Sequence, residues 1–249
     1  MTTRVALVTG AAAGIGKACA IRLAREGKSV GVLDLNLEGC QAVVDEITAA
    51  GGKAIALQGS IVDRPQMSAA VDKLRAAFGP VTIVVNNAGI SNFIPFEDLT
   101  DKDWDAMFEV NTKGTFVVTQ TCLADMKAEK WGRVINISSS SAQTGSVEQV
   151  HYSASKGAVV AMTKSLAIAL GPYGITVNNI PPGAVMQTIM SETNKHRFQI
   201  PMEQLVKIIP VGRTGVPEDI ANACAWLASE DSSYVSGQTI GVNGGRVVS

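Results

Sequence analysis

A tyrosine and a lysine lie four positions apart in the stretch HYSASKG, residues 151 to 157. On a helix, residues i and i+4 share a face, so Lys156 can lie beside Tyr152. A free tyrosine has a pKa of about 10, and a neighbouring ammonium favours the phenolate and lowers that pKa. We therefore expect Tyr152 to act as a general acid or base, with a pKa below its ordinary value. Taken alone, the pair is equally compatible with a solvated helix surface.

A glycine-rich turn follows the first apolar run, where TGAAAGIG contains Gly10, Gly14 and Gly16. Glycines let the backbone turn sharply and approach a ligand, and free N–H groups at a helix N-terminus attract a pyrophosphate. A tightly packed turn without a ligand has the same pattern. Asp34 ends the next apolar run, where a carboxylate can accept hydrogen bonds from an adenosine ribose and repel a 2′-phosphate. With no basic residue at positions 11 to 13, the turn and the acid together predict NAD in preference to NADP.

Short apolar runs rich in β-branched residues alternate along the chain with longer amphipathic segments. Strands covered on both faces read as continuous apolar runs, and alternation with helices predicts parallel strands joined by right-handed crossovers. The predicted fold is therefore α/β, a doubly wound parallel sheet flanked by helices, in a single domain over residues 1–249. An irregular segment at about 184–213 is expected to form a substrate loop. The predicted strands are 5–9, 29–34, 54–58, 82–86, 133–138, 175–180 and 238–242.

Composition narrows the classes of partner. A net charge of −1 gives no reason to expect a nucleic acid or an anionic membrane surface. Charged residues are only 17% of the chain, which favours a mixture of an unusually large core and extra apolar surface hidden between subunits, and so an oligomer. The four cysteines have no metal-type spacing, and no catalytic metal is predicted. The N-terminal residues lack a charged-then-apolar leader, and no apolar run reaches spanning length, so we expect a cytoplasmic protein.

Further motifs follow in a fixed order along the chain. NNAG occupies 86–89, Asn111 lies in FEVNTKG, NISS occupies 136–139, and PG occupies 182–183. Tyr152 follows Ser139 by thirteen residues. With TGAAAGIG and YSASK, this order resembles the short-chain dehydrogenase/reductase family over essentially the whole chain. The family implies a Rossmann-type sheet of seven strands, a bound nicotinamide dinucleotide, and hydride transfer between a secondary alcohol and a ketone.

The resemblance assigns roles to individual residues. Tyr152 is the implied acid/base, Lys156 its tuning partner, Ser139 the hydroxyl that orients the carbonyl, and Asn111 a relay within a helix irregularity. The implied cofactor-binding residues are Gly10, Gly14, Ile15, Gly16, Asp34, Ser60, Ile61, Asn87, Ala88, Gly89, Tyr152, Lys156, Pro182, Gly183, Val185 and Thr188. The expected substrate contacts are Ser139, Gln143, Gln149, Tyr152 and Met186, with Ser91, Asn92, Phe93, Thr144 and Met190 as further pocket walls.

Two positions differ from the residues that the family often has, and a histidine adjoins the tyrosine. Ser60 stands where the family often has an aspartate that touches the adenine, and Asp63 lies three residues later. Gln187 stands where the family often has a threonine, so either the glutamine substitutes or the loop shifts by one residue and uses Thr188. His151 neighbours the tyrosine on a different helix face, and we expect it to serve a pocket wall or the surface instead of catalysis.

The sequence leaves the substrate open. The pocket residues suit a mid-sized, cyclic hydroxy or keto compound, its acid or its thioester. Lys195 and Arg197 are either anion ligands or solvated loop charges. One alternative is a 3-oxoacyl-carrier-protein reductase, which normally uses NADPH. An alternative of another class is a non-catalytic dinucleotide-binding regulator, against which the intact catalytic set argues. The family also implies a homotetramer.

Overall fold

Six strands form one parallel sheet in the computed structural model, which describes residues 4–188, 192 and 201–248. Their spatial order is β3-β2-β1-β4-β5-β6, and the five neighbouring pairs all run parallel. This order is that of a Rossmann-type, doubly wound α/β fold, as the sequence predicted. The strands are β1 Val5–Thr9, β2 Ser29–Asp34, β3 Lys53–Gln58, β4 Val81–Asn86, β5 Gly132–Ile137 and β6 Ile175–Ile180.

Helices connect the strands and cover both faces of the sheet. Several begin at side-chain caps that the sequence supplies: Asn36 accepts the Gly39 N–H, and Asp63 accepts the Gln66 N–H. The helices are α1 Gly14–Arg25, α2 Leu37–Ala49, α3 Arg64–Phe78, α4 Asp101–Phe108, α5 Gly114–Glu129, α6 Ser141–Thr144, α7 Val150–Leu170, α8 Met202–Lys207 and α9 Pro217–Leu227. A π-helical turn, Glu109–Lys113, joins α4 to α5.

Alternate side chains of each strand enter two separate cores. Ala6 and Val8 of β1 pack with α1, α2 and α9 on one face. Val5 and Leu7 pack with α3, α5 and α7 on the other face. Burial of apolar side chains on both faces explains why the strands read as continuous apolar runs and why their bounds could be predicted closely.

The seventh strand predicted at 238–242 does not form. This segment lies along β6, but it pairs only through isolated bridges from Thr239 to Asn179 and from Val242 to Pro182. Gly237 has a φ of +74°, and Gly241 falls between the two bridges, so an extended ladder is not continued. The predicted count of seven strands is therefore wrong for the described residues, and the sheet has six.

Within the described residues, no helix is both long and apolar enough to cross a bilayer. The four cysteines, Cys19, Cys40, Cys122 and Cys224, are free and buried in the two cores.

Candidate active site

The glycine-rich turn lies where the strand order reverses, between the carboxyl ends of β1 and β4. Gly10 and Gly14 have φ values of +63° and +55°, a region that other residues seldom adopt. A Cβ atom on Gly16 would lie 2.2 Å from the Gly10 carbonyl oxygen. The turn thus requires glycine at these positions, and it brings the N-terminus of α1 to the crevice in which open α/β sheets bind ligands.

The end of β4 is hydrogen-bonded directly to this turn. The Asn87 side-chain amide donates to the carbonyl oxygens of Thr9 and Gly10, at 3.0 Å each. The Thr9 hydroxyl in return accepts the N–H groups of Asn87 and Ala88, at 3.1 Å each. Asn87 was predicted to line the nicotinamide side of the site; it lines the cavity described below and also braces the glycine turn.

Asp34 stands at the end of β2, facing the turn. One carboxylate oxygen accepts the Ala12 N–H at 3.3 Å, and the other accepts the Asn36 N–H at 3.1 Å. The acid therefore fixes the turn after β1 to the turn after β2 and adds a negative charge beside the α1 N-terminus. The nearest positions in sequence, Leu35 and Asn36, are not basic.

The residues after β3 divide between surface and core. Ser60 is partly exposed and its N–H donates to the Gln66 side chain. The Ile61 side chain is buried in the core, and a Cβ on Gly114 would lie 2.4 Å from its Cδ1 atom. Only the backbone of Ile61 is thus available to a nucleotide. Asp63 caps α3.

Tyr152 and Ser139 meet at the carboxyl edge of the sheet. Tyr152 lies on the first turn of α7, is only 7% exposed, and hydrogen-bonds to Ser139. Ser139 follows β5, and its Oγ accepts the N–H and the hydroxyl of Ser141 at 3.1 and 2.9 Å. Among the run of serines, Ser139 is thus the one joined to the tyrosine, in agreement with the spacing of thirteen residues.

Lys156 lies one turn further along α7, with its ammonium buried. Its Nζ donates to the Ile137 carbonyl oxygen at 3.0 Å and lies 5.9 Å from the centre of the Tyr152 ring. A Cβ on Gly89 would lie 3.2 Å from this Nζ and 2.8 Å from Asn111 Oδ1. Glycine at position 89 therefore leaves the room that the side chains of Lys156 and Asn111 occupy.

Burial shifts the pKa values of Tyr152 and Lys156 in the directions that favour their neutral forms. Burial raises the pKa of Tyr152, and the hydrogen bond from Ser139 lowers it in part. Burial lowers the pKa of Lys156 from 10.5 to about 8. The expected downward shift of the tyrosine pKa is therefore wrong for the protein alone, because removal from water outweighs the hydrogen bond from Ser139.

Asn111 lies in the π-helical turn and is fully buried. A π turn adds a residue to the helix and re-aims its side chain, and such turns often lie at functional sites. Asn111 Oδ1 accepts the Ile90 N–H at 2.9 Å. Asn111 Nδ2 donates to the Ile90 carbonyl at 3.0 Å and to Ser155 Oγ at 3.1 Å. The helix irregularity expected at this residue thus holds the chain segment that follows β4.

That segment, residues 90–94, is also bonded to the start of α7. Gln149 Nε2 donates to Ser91 Oγ at 2.8 Å, and the Ile94 N–H donates to the Glu148 carbonyl at 2.8 Å. His151 is fully buried, with its Nε2 against Asn92 Oδ1, so its expected place at a pocket wall or the surface is wrong. These contacts between two loops distant in sequence had no signal in the sequence.

One cavity joins the turn, the tyrosine and the loop after β6; we call it the catalytic cavity. Thr188 lines it, whereas Gln187 is exposed with a φ of +61°, so Thr188 is the one of these two neighbours that lies at the cavity. Gln143 is not among its lining residues. Met190, Lys195, His196 and Arg197 lie outside the described residues. The lining residues are Ile15, Asn87, Gly89, Ser91, Phe93, Ile137, Ser138, Ser139, Gln149, Tyr152, Lys156, Pro182, Gly183, Ala184, Val185, Met186 and Thr188.

The residues of the glycine turn and of the catalytic cavity fit a nicotinamide dinucleotide better than a metal ion. In the described part of the chain, no three His, Cys, Asp or Glu residues cluster in a way that could hold an ion. The glycine turn, in which close contacts leave no room for a Cβ at Gly10 or Gly16, fits a pyrophosphate, and Asp34 is placed for a ribose. Asn87, Lys156 and Val185 line the cavity where the nicotinamide end would lie.

Comparison with known proteins defines the class. The family model described as Enoyl-(Acyl carrier protein) reductase matches residues 10–246. Together with a relative that is 40% identical over 98% of the chain, this shows that the chain belongs to the short-chain dehydrogenase/reductase family. It is therefore an oxidoreductase acting on CH–OH or keto groups, and not a non-catalytic regulator.

Individual relatives refine the comparison. The hydroxy(phenyl)methylsuccinyl-CoA dehydrogenase subunit BbsD of Thauera aromatica is 40% identical, over 98% of this chain and 96% of that protein. The 3-oxoacyl-acyl-carrier-protein reductase of Thermotoga maritima is 38% identical, over 98% of both chains. Among solved structures, an actinorhodin polyketide ketoreductase variant with NADPH superposes with a TM-score of 0.93 at 33% identity, covering 98% of this chain and 97% of that chain.

Proposed function

We propose that this oxidoreductase uses NAD(H) and interconverts the hydroxyl and keto groups of an acyl thioester. The hydrogen bond between Tyr152 and Ser139, next to the buried Lys156, carries the assignment of the chemistry. The thioester class is supported by relatives named for CoA or acyl-carrier-protein thioesters, including the acetoacetyl-CoA reductase of Cupriavidus necator at 36% identity over 98% of both chains.

The chain's own residues divide the proton work between them. In the oxidative direction Tyr152 accepts the alcohol proton, and in the reductive direction it returns that proton to the oxygen. Positioned proton transfer of this kind contributes about 10²–10⁴-fold to rate. Ser139 donates a hydrogen bond to the substrate oxygen as negative charge develops on it. The Lys156 ammonium favours the phenolate. When bound, the nicotinamide dinucleotide supplies or accepts the hydride.

Asp34 supports NAD as the preferred dinucleotide. Its carboxylate faces the α1 N-terminus, where it accepts the Ala12 N–H, and a 2′-phosphate placed nearby would meet a like charge. Lys17, on the first turn of α1, is bound to Glu46 at 2.9 Å. The similar ketoreductase structure contains NADPH. The proposed preference of this protein for NAD therefore depends on the Asp34 carboxylate.

The cofactor proposal is tested by exchanging charge at this position. We expect the wild-type protein to use NAD at least about tenfold better than NADP, since like-charge contact with the 2′-phosphate costs roughly 1.4 kcal/mol or more. The double variant Asp34→Ala, Leu35→Arg should reverse the ratio of kcat/KM values. Asp45→Ala, which removes an exposed carboxylate of α2, is the control and should leave the ratio unchanged. An unaltered ratio in the double variant would contradict the role of Asp34.

A 3-oxoacyl-acyl-carrier-protein reductase is the second candidate, favoured by the match to the Thermotoga maritima protein. The two candidates share their catalytic residues and differ in carrier and cofactor. Assays with CoA and carrier-protein thioesters, each with NADH and NADPH, separate them. Preference for the carrier-protein thioester with NADPH would favour the second candidate.

We further propose assembly as a homotetramer through α5 and α7. Phe116 of α5 and Ile168 of α7 are large apolar residues left exposed, the latter by 81%. The Ile168→Asp variant should reduce the mass measured by light scattering to that of a smaller species. A wild-type protein that is monomeric in the same measurement would contradict the proposal.

A further inference from the structure

A second cavity lies next to the catalytic cavity, on the side of the C-terminal segment; we call it the side cavity. The two cavities share five lining residues and therefore lie next to each other: Phe93, Ser139, Gln149, Gly183 and Ala184. Beyond these, the side cavity is lined mainly by hydroxyl-bearing and small residues and by one arginine. The additional lining residues are Ser140, Ser141, Thr144, Gly145, Ser146, Val147, Leu205, Arg246 and Val247.

The charged residues that line these two adjacent cavities all have one sign. Lys156 lies in the catalytic cavity and Arg246 in the side cavity, and the described lining residues of both include neither Asp nor Glu. The Arg246 side chain is exposed and forms no ion pair or hydrogen bond with any other described residue. An isolated surface arginine is commonly a solvated charge. Here the described residues that line the two cavities include no carboxylate, so the positive charge of Arg246 is not offset there.

Arg246 lies on a turn that is firmly attached to the sheet. The Asn243 side chain donates to the Val247 carbonyl and accepts the Gly245 N–H, both at 3.0 Å. A Cβ on Gly183 would lie 2.8 Å from the Asn243 Cβ, so the turn packs directly on the cofactor loop after β6. The segment predicted as a seventh strand therefore positions Arg246 beside the cavity.

We propose that Arg246 binds an anionic group of the substrate while Tyr152 and Ser139 hold the reacting oxygen. A guanidinium forms forked, charge-assisted hydrogen bonds with carboxylates and phosphates, and the serine hydroxyls of the side cavity can donate as well. The inference rests on the proposed function, because a thioester substrate supplies such a group. It is either a carboxylate on the acyl chain or a phosphate of the pantetheine carrier.

The test compares three thioesters with the wild-type protein and with Arg246→Gln. Acetoacetyl-N-acetylcysteamine has no anionic group, acetoacetyl-CoA has phosphates, and 3-oxoadipyl-N-acetylcysteamine has a carboxylate. We expect Arg246→Gln to lower kcat/KM at least about tenfold, mainly through KM, for one of the two anionic thioesters, as loss of a charge-assisted hydrogen bond predicts. The neutral thioester should be affected less than about twofold. Arg25→Gln removes an exposed arginine of α1 and is the control.

Each outcome decides a different point. Loss confined to acetoacetyl-CoA assigns the phosphate, and loss confined to the oxoadipyl thioester assigns the carboxylate. Equal effects on all three substrates, or none, would overturn the Arg246 site while leaving the proposed function intact. If the wild-type protein reduces none of them, the thioester proposal fails. Calorimetric binding of CoA and of adipate then decides the Arg246 site: weaker binding of either to Arg246→Gln supports it, and identical binding overturns it.

Discussion

Asn111 holds both backbone polar groups of Ile90, through the Ile90 N–H at 2.9 Å and the Ile90 carbonyl at 3.0 Å. The π-helical turn makes this possible by directing a fully buried amide toward the chain that leaves β4. Ile90 begins the segment whose Ser91 and Phe93 line the catalytic cavity. The asparagine thus connects the π-helical turn before α5 with a wall of the catalytic cavity.

This connection gives Asn111 a measurable positioning role. Asn111→Ala removes the bonds to Ile90 and leaves its backbone N–H and carbonyl without a side-chain partner. We expect KM for the substrate to rise severalfold in steady-state assays, in addition to any fall in kcat. Thr112→Val is the control, because it removes the bond from the Thr112 hydroxyl to the Ser155 carbonyl without touching Ile90. A fall in kcat with KM unchanged would show that Asn111 does not shape the substrate wall.

The hydrogen bond between Ser139 and Tyr152 should be visible in the pH dependence of oxidation. Oxidation needs the phenolate as proton acceptor, so kcat/KM should rise with pH through the pKa of Tyr152. Ser139 lowers this pKa, and removing its hydroxyl in Ser139→Ala should move the midpoint of the rise to higher pH. Ser138→Ala, one residue away, should leave the midpoint in place. A midpoint that is the same in both variants and in the wild type would refute the interaction.

Burial of Lys156 should reduce the stability of the protein without its cofactor. The folded pKa is about 8, below the unfolded value of 10.5, so below pH 8 a charged ammonium is held in the protein interior. Between these two values the unfolded chain binds the extra proton, and stability rises with pH. Lys156→Met, which cannot be charged, should therefore have a higher Tm than the wild type near pH 7.

The advantage of Lys156→Met should shrink as the pH is raised from 8 toward 10.5, and thermal unfolding at several pH values measures it. An advantage that does not change with pH would mean that packing, and not charge, is responsible. The same variant should lose activity, since the ammonium no longer favours the phenolate.

Parts of this structure follow from local sequence. The strands β1, β2 and β6 begin and end where the sequence predicted, because burial on both faces favours apolar and β-branched residues. The spacing of Ser139, Tyr152 and Lys156 in the sequence also identified residues that lie next to one another in the structure. Such features depend on residue type and short-range geometry, which the sequence displays directly.

Other parts depend on contacts between distant segments. The degree to which Tyr152 is enclosed sets the direction of its pKa shift, and no local pattern reports it. The backbone of Gln187, with φ of +61°, decides which neighbour enters the cavity. Arg246 had no motif around it, and its place beside the side cavity results from the packing of Asn243 on Gly183. Only the assembled sheet brings these residues together.

The Tyr152→Phe variant tests the catalytic account most directly, by removing one hydroxyl while keeping the ring. NADH absorbance during turnover of a hydroxyacyl thioester, together with calorimetric binding of NADH, should be measured for this variant and for Tyr234→Phe, which alters a fully exposed ring. We expect Tyr152→Phe to lose about 10²–10⁴-fold in kcat with NADH binding retained, and Tyr234→Phe to match the wild type. Turnover by Tyr152→Phe at the wild-type rate would contradict the assignment of Tyr152 as the proton donor and acceptor.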